Sequence, residues 1–125
     1  MGGKTILIME DDTIQREGLA VVLRREGYTV LVCKEGKEAL ECLESLLPDL
    51  ILIDMMIQSP GMDGWDFLEE RKRSPLAASI PTLVMTAIGI SSQEWAISLG
   101  ADGLIRKPIE VEQMLAEIRR YLGSE

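Results

Sequence analysis

The stretch ILIMEDD, residues 6–12, decides the fold. Four apolar residues run without a break into three acids. A strand with one wet face alternates apolar and polar residues; this one does not. It reads as a strand buried on both faces, which is the habit of parallel sheets covered by helices. Its exit onto carboxylates puts charge at the strand's carboxyl end. That is the edge where open α/β sheets bind ligands.

The same grammar repeats outward. Strand-like runs at 5–9, 28–33, 49–54, 80–85 and 101–105 alternate with helical periods at 13–26, 37–47, 64–73, 91–99 and from 111 on. Gly27 stops the first helix and Pro48 closes the second. Helical spacing puts Ile14, Leu19, Val22 and Leu23 on one face of the first. It turns Ala39, Leu40, Leu43 and Leu47 inward on the second, and Trp65 and Leu68 on the third. Val111, Met114, Leu115, Ile118 and Leu122 make the stripe of the last. Strands each followed by a helix require right-handed crossovers. The expected fold is a doubly wound α/β sandwich, a five-stranded parallel sheet with five helices on its two faces.

Bulk composition narrows the function. The chain has 125 residues, one domain's length, with 46% hydrophobic and 27% charged residues. Thirteen basic against 21 acidic residues leave a formal charge of −8, which argues against direct nucleic-acid binding. There is no histidine, so histidine metal ligation and Ser-His-Asp or Cys-His catalysis are excluded. Cys33 and Cys42 are too few for a disulfide framework and read as reduced thiols of a cytoplasmic protein. No apolar run reaches the ~18 residues of a membrane span. Met1-Gly2-Gly3 reads as a cloning remnant, 4–122 as the domain and 123–125 as a tail.

The strand exits converge. Glu10 and Asp11 follow the first strand, Asp54 closes the third, Thr86 follows the fourth and Lys107 the fifth. Two like charges ~5 Å apart repel by roughly 3 kcal/mol at an effective dielectric of ~20. Three acids therefore take up a proton or a cation. An all-oxygen donor set selects a hard ion, Mg2+ or Mn2+. A phosphoryl group on an aspartate would then lie between metal and ammonium, with Thr86 donating a hydrogen bond. Asp12 reads as the cap of the first helix.

Together, ILIMEDD, PDLILIDMM, GMDGW, PTLVMTA, GAD and RKP resemble the receiver domain of bacterial response regulators, over nearly the whole chain. The resemblance implies a flavodoxin-like strand order, 2-1-3-4-5. It implies that Asp54 is the phosphoacceptor, with Glu10, Asp11, Asp54 and the backbone carbonyl of Met56 around Mg2+. Thr86 and Lys107 would hold the phosphoryl oxygens. The donor would be a phosphohistidine on a sensor histidine kinase or a phosphotransfer protein. The signal would leave through the fourth helix, fifth strand and fifth helix, toward an output domain or a second copy of the chain. Thr86 and Leu104 would form the switch, Leu104 standing where an aromatic residue is common.

Three features depart from the family pattern. Leu104 has less area to bury than an aromatic ring. The loop after Asp54 carries an insertion near Gln58-Ser59. Met56 and Ile88, at positions that tune hydrolysis, are apolar and cannot orient water, so a long-lived acyl phosphate is expected. Trp95 can share the core face with Leu99 by spacing, whereas the resemblance puts it on the exposed signalling face.

Two other functions use similar parts. A haloacid-dehalogenase-type, magnesium-dependent aspartyl phosphatase needs Asp-x-Asp after the first strand, and here the acids are adjacent. A degenerate receiver would serve only as an interaction module.

Overall fold

The computed structural model describes residues 3–56, 61–87, 89 and 92–123. The uninterrupted apolar runs form five parallel strands: β1 (Thr5–Met9), β2 (Thr29–Cys33), β3 (Leu50–Asp54), β4 (Thr82–Thr86) and β5 (Gly103–Arg106). Their order is β2-β1-β3-β4-β5. Successive side chains of a strand point to opposite faces. Ile6 and Ile8 therefore enter one core layer with Leu50, Leu52 and Leu83. Leu7 and Met9 enter the other with Ile51, Ile53 and Val84. All of these residues are fully buried, at ~1.5–3 kcal/mol of transfer free energy per large side chain.

Among the described residues there are six helices: α1 (Thr13–Arg25), α2 (Gly36–Ser45), α3 (Gly64–Arg71), α4 (Pro75–Ala78), α5 (Gln93–Ser98) and α6 (Val111–Leu122). Leu19 and Leu23 of α1 pack with Met114 and Ile118 of α6 on one face of the sheet. Ala39 of α2, Phe67 and Leu68 of α3 and Ala96 of α5 cover the other. The expected five helices become six because Ser74 caps a single turn opened by Pro75, its hydroxyl accepting from the Ala77 amide at 3.3 Å. That Ser-Pro start signal lies where no helical period is long enough to register.

Helix phase corrects two inward assignments. The buried set of α1 is Arg16, Leu19, Ala20 and Leu23, a 16-19-20-23 stripe. Ile14 lies about 200° round the helix from Arg16 and is 83% exposed. In α3 the buried stripe is Gly64, Phe67, Leu68 and Arg71, which leaves Trp65 40% exposed. Leu47 is exposed as well, since α2 stops at Ser45, and so is Val111, the first residue of α6, whose buried set is Met114, Leu115 and Ile118. Other boundaries move by a residue or two, as ends do where cap geometry rather than periodicity decides them. The start of the expected 91–99 helix falls at Ser91, outside the described residues.

Cys33 and Cys42 are both free, their sulfurs 3.5 Å apart. Burial first, then Cys42, pushes the Cys33 thiol up, so it stays protonated.

Register aligns the carboxyl ends. Met9 pairs with Cys33 on one side and Ile53 on the other, Asp54 pairs with Met85, and Thr86 pairs with Arg106. Glu10, Asp54, Thr86 and Lys107 therefore leave the sheet at nearly one height.

Candidate functional site

The acid loop is held from both sides. The Glu10 amide donates to the Cys33 carbonyl at 3.0 Å, extending the β1–β2 ladder by one residue. Asp12 then caps α1, its carboxylate accepting from the Gln15 amide at 2.8 Å. Arg16, buried beneath the loop, donates to the backbone oxygens of Glu10 at 3.0 Å and Asp11 at 3.3 Å, and to the Thr13 hydroxyl at 3.4 Å. A guanidinium spends three donors here on a turn that helix and sheet ladders leave unsatisfied.

Glu10, Asp11 and Asp54 each bring a carboxylate oxygen within 4.8 Å of the others. Glu10 and Asp54 are buried and Asp11 is half-buried. Lys107 Nζ lies 3.2 Å from Glu10 Oε1 and 3.4 Å from Asp54 Oδ1. Its backbone amide donates to the Thr86 carbonyl at 2.9 Å, which ties the lysine to the end of β4. The Lys107–Pro108 peptide bond is cis. The Met56 amide donates to Asp54 Oδ1 at 3.0 Å.

Burial is the largest influence on Glu10, followed by its hydrogen bond and charge contact with Asp54. They push its carboxyl from 4.5 up to about 7, although Lys107 and the Asp12 amide act the other way. One ammonium does not offset three carboxylates. The donor set, all hard oxygens in a cleft of about 680 Å3, fits a divalent ion such as Mg2+.

The expected residues come together unequally. Glu10, Asp11, Asp54, Met56 and Lys107 all line this cleft, and Ala87 forms its wall at the end of β4. Thr86 is fully buried as the last residue of β4, beside the cleft. Leu104 is half-buried against the layer formed with α2, α3 and α5. Trp95 is half-buried on that layer too. It meets Trp65 edge to face, ring centres 5.6 Å apart at 81°. The aromatic pair therefore joins α3 to α5. Gln58, Ser59 and Ile88 lie outside the described residues.

Sequence reasoning missed Gln15 and Arg16. Gln15 Oε1 accepts from Lys107 Nζ at 3.0 Å. Arg16 left a readable signal, a charged residue at the head of the apolar 16-19-20-23 stripe. Gln15 left none, since an exposed polar residue on a first helical turn is ordinary.

Known proteins resemble this chain in sequence and fold. The family model of the response regulator receiver domain matches residues 6–119. The phosphate regulon transcriptional regulatory protein PhoB of Pseudomonas aeruginosa is 35% identical over 123 residues, covering 98% of this chain and 53% of that protein. The chain thus spans about half the length of the curated relatives it matches. The receiver domain of the sensor histidine kinase PA1611 from P. aeruginosa superposes with a TM-score of 0.86 at 25% identity, covering 98% of this chain and 99% of that one. That structure has a magnesium ion coordinated in its active-site cleft. The chemotaxis response regulator CheY4 of Vibrio cholerae gives a TM-score of 0.85 at 26% identity, covering 96% and 99%.

Proposed function

The chain belongs to the response regulator receiver domain family of two-component signalling, and from that premise we propose that Asp54 is its phosphoacceptor in a Mg2+-dependent transfer. The observation that carries this reading is the ammonium of Lys107 standing between Glu10 and Asp54, with Asp11 completing the acid cluster.

Asp54 is oriented for attack. The Met56 amide and the Lys107 ammonium both address Oδ1, which leaves the carboxylate turned by two donors on one oxygen. Glu10, Asp11, Asp54 and the Met56 backbone carbonyl would hold the ion. The ion would supply charge neutralisation for the incoming phosphoryl oxygens. Lys107 and the Thr86 hydroxyl would meet the remaining phosphoryl oxygens, as positional catalysis of phosphoryl transfer requires. Glu10 would release its proton when the ion is held.

The donor would be a phosphohistidine of a sensor histidine kinase or phosphotransfer protein, in the cytoplasm. Residues 4–122 would form the receiver. The response would leave through α5, β5 and α6, with Thr86 and Leu104 as the switch, toward an output domain or a second copy. The relative PhoB is a transcriptional regulatory protein about twice as long as the match, which supports an output domain as the recipient. The domain would act as a signalling element with self-catalysed phosphotransfer and slow dephosphorylation rather than as a turnover enzyme.

The test is direct. Incubation with Mg2+ and acetyl phosphate, followed by intact mass measurement, should show one added phosphoryl group. Asp54→Asn should abolish it. Steady release of phosphate without an adduct would point to a phosphatase instead, and neither adduct nor release would leave an interaction module.

A further inference from the structure

Lys107 Nζ stands among three oxygens: Gln15 Oε1 at 3.0 Å, Glu10 Oε1 at 3.2 Å and Asp54 Oδ1 at 3.4 Å. Two of the three belong to carboxylates that a divalent ion would also use. A dication repels an ammonium, and carboxylates shared with it attract that ammonium less. The Gln15 oxygen is neutral and lies outside the acid cluster, so its hold on the ammonium survives when the acids are otherwise engaged. A lysine ammonium only donates, so the amide of Gln15 presents its oxygen to it.

The backbone beneath Gln15 is pinned. Its amide donates to the Asp12 carboxylate at 2.8 Å, and the next amide, that of Arg16, donates to the Asp12 carbonyl at 2.9 Å. The Arg16 guanidinium ties the same turn to the carbonyls of Glu10 and Asp11. The first turn of α1 thus locks the acid loop and Gln15 into one rigid piece. Lys107 reaches it from the exit of β5, the strand at one edge of the sheet, 92 residues away in sequence.

We infer that Gln15 is a positioning residue for Lys107, holding the ammonium at the cleft where phosphoryl oxygens arrive. This rests on the phosphoacceptor reading of Asp54. The contact forms at an exposed side chain, so its effect is set by what it does to Lys107 rather than by any contribution to folding.

The experiment compares the wild type with Gln15→Leu, Gln15→Glu, Lys107→Met and the Gln15→Leu/Lys107→Met double variant. Trifluoroberyllate with Mg2+ serves as the phosphoryl stand-in, its binding followed by calorimetry; labelling by acetyl phosphate at saturating donor gives the rate. Gln15→Leu should weaken trifluoroberyllate binding and slow labelling roughly fivefold, the loss of one hydrogen bond to a charged group at an exposed site. Affinity for Mg2+ alone should stay within about twofold, since no metal donor is removed. Gln15→Glu keeps an oxygen at the same reach and should restore binding. In the Lys107→Met background, Gln15→Leu should have no further effect.

Wild-type behaviour of Gln15→Leu overturns the inference, as does an equal loss in the Lys107→Met background, because the effect would then not pass through the ammonium. A wild-type protein that takes up neither acyl phosphate nor trifluoroberyllate overturns the phosphoacceptor reading itself, and this inference with it.

Discussion

Glu10 stands between two protonation states at neutral pH, its carboxyl pushed up to about 7 by burial and by Asp54. An ordinary glutamate in the unfolded chain titrates near 4.5. The folded protein therefore binds more protons than the unfolded chain between those two values. Stability that Glu10 contributes is fully present below about pH 4.5 and is lost as the pH rises through about 7. A divalent ion needs the ionised carboxylate, so Mg2+ affinity should rise over the same window, with uptake of the ion releasing up to one proton. Thermal melts with and without Mg2+ should show the metal-induced gain growing from acid to alkaline pH. Glu10→Gln should flatten that dependence and make the metal-free protein more stable in alkali than the wild type.

Met56 supplies a second test at this scale. Its side chain is 47% exposed beside Asp54 and has no group that can orient a water. The acyl phosphate should persist for minutes to hours after desalting. Met56→Gln should shorten that lifetime several-fold, read by loss of the phosphoryl mass from the intact protein.

At the element scale, buried charge replaces apolar packing at one seam. Arg71, at the end of α3, donates to the carbonyls of Gly100 and Ile80 at 2.9 Å each and of Ala78 at 3.3 Å. Its guanidinium also lies 3.9 Å from Asp102, which accepts from the Thr82 amide at 2.9 Å. One side chain thus ties α3 to the turns entering β4 and β5, and through them fixes where Thr86 and Lys107 emerge. Arg71→Met should destabilise the fold by ~1–3 kcal/mol, since the part-buried contacts to the Gly100 and Ala78 carbonyls are lost and the Ile80 carbonyl keeps only the Thr82 hydroxyl. Urea denaturation would measure it. The cap at the other end of the molecule is worth less: Asp12→Ala should cost ~1 kcal/mol. Helix phase was where local reading slipped. Ile14 and Trp65 are apolar and lie within two residues of true core positions, but Arg16 and Phe67 hold the inward phase, and the caps at Asp12 and Asp63 decide it.

At the scale of the whole molecule, a chain of net charge −8 gathers three acids at one edge of its sheet. A cation bound there stabilises only the folded state. Mass action then raises stability by ~2.7 kcal/mol at a hundred times the dissociation constant. The melting temperature should climb with Mg2+ in the wild type and respond far less in Asp11→Asn, which replaces a charged ligand oxygen by a neutral amide without adding bulk. An unchanged response in that variant would place the ion elsewhere. The Trp65–Trp95 pair spans α3 and α5, so its emission reports their relative packing. Among the described residues no helix is long and apolar enough to cross a membrane.

The alternation of strand and helix and the identity of Glu10, Asp11, Asp54 and Lys107 as strand-exit residues were legible in the sequence. Burial period and turn chemistry are local properties, written within a few residues of where they act. Strand order came from family resemblance and not from periodicity, because no local pattern says which neighbours a buried strand takes. The contact of Gln15 with Lys107, the raised pKa of Glu10 and the meeting of Trp65 with Trp95 were decided by tertiary structure alone. Each depends on a distance of a few ångströms between segments far apart in the chain. Parallel register and helix phase set those distances only once the sheet has closed.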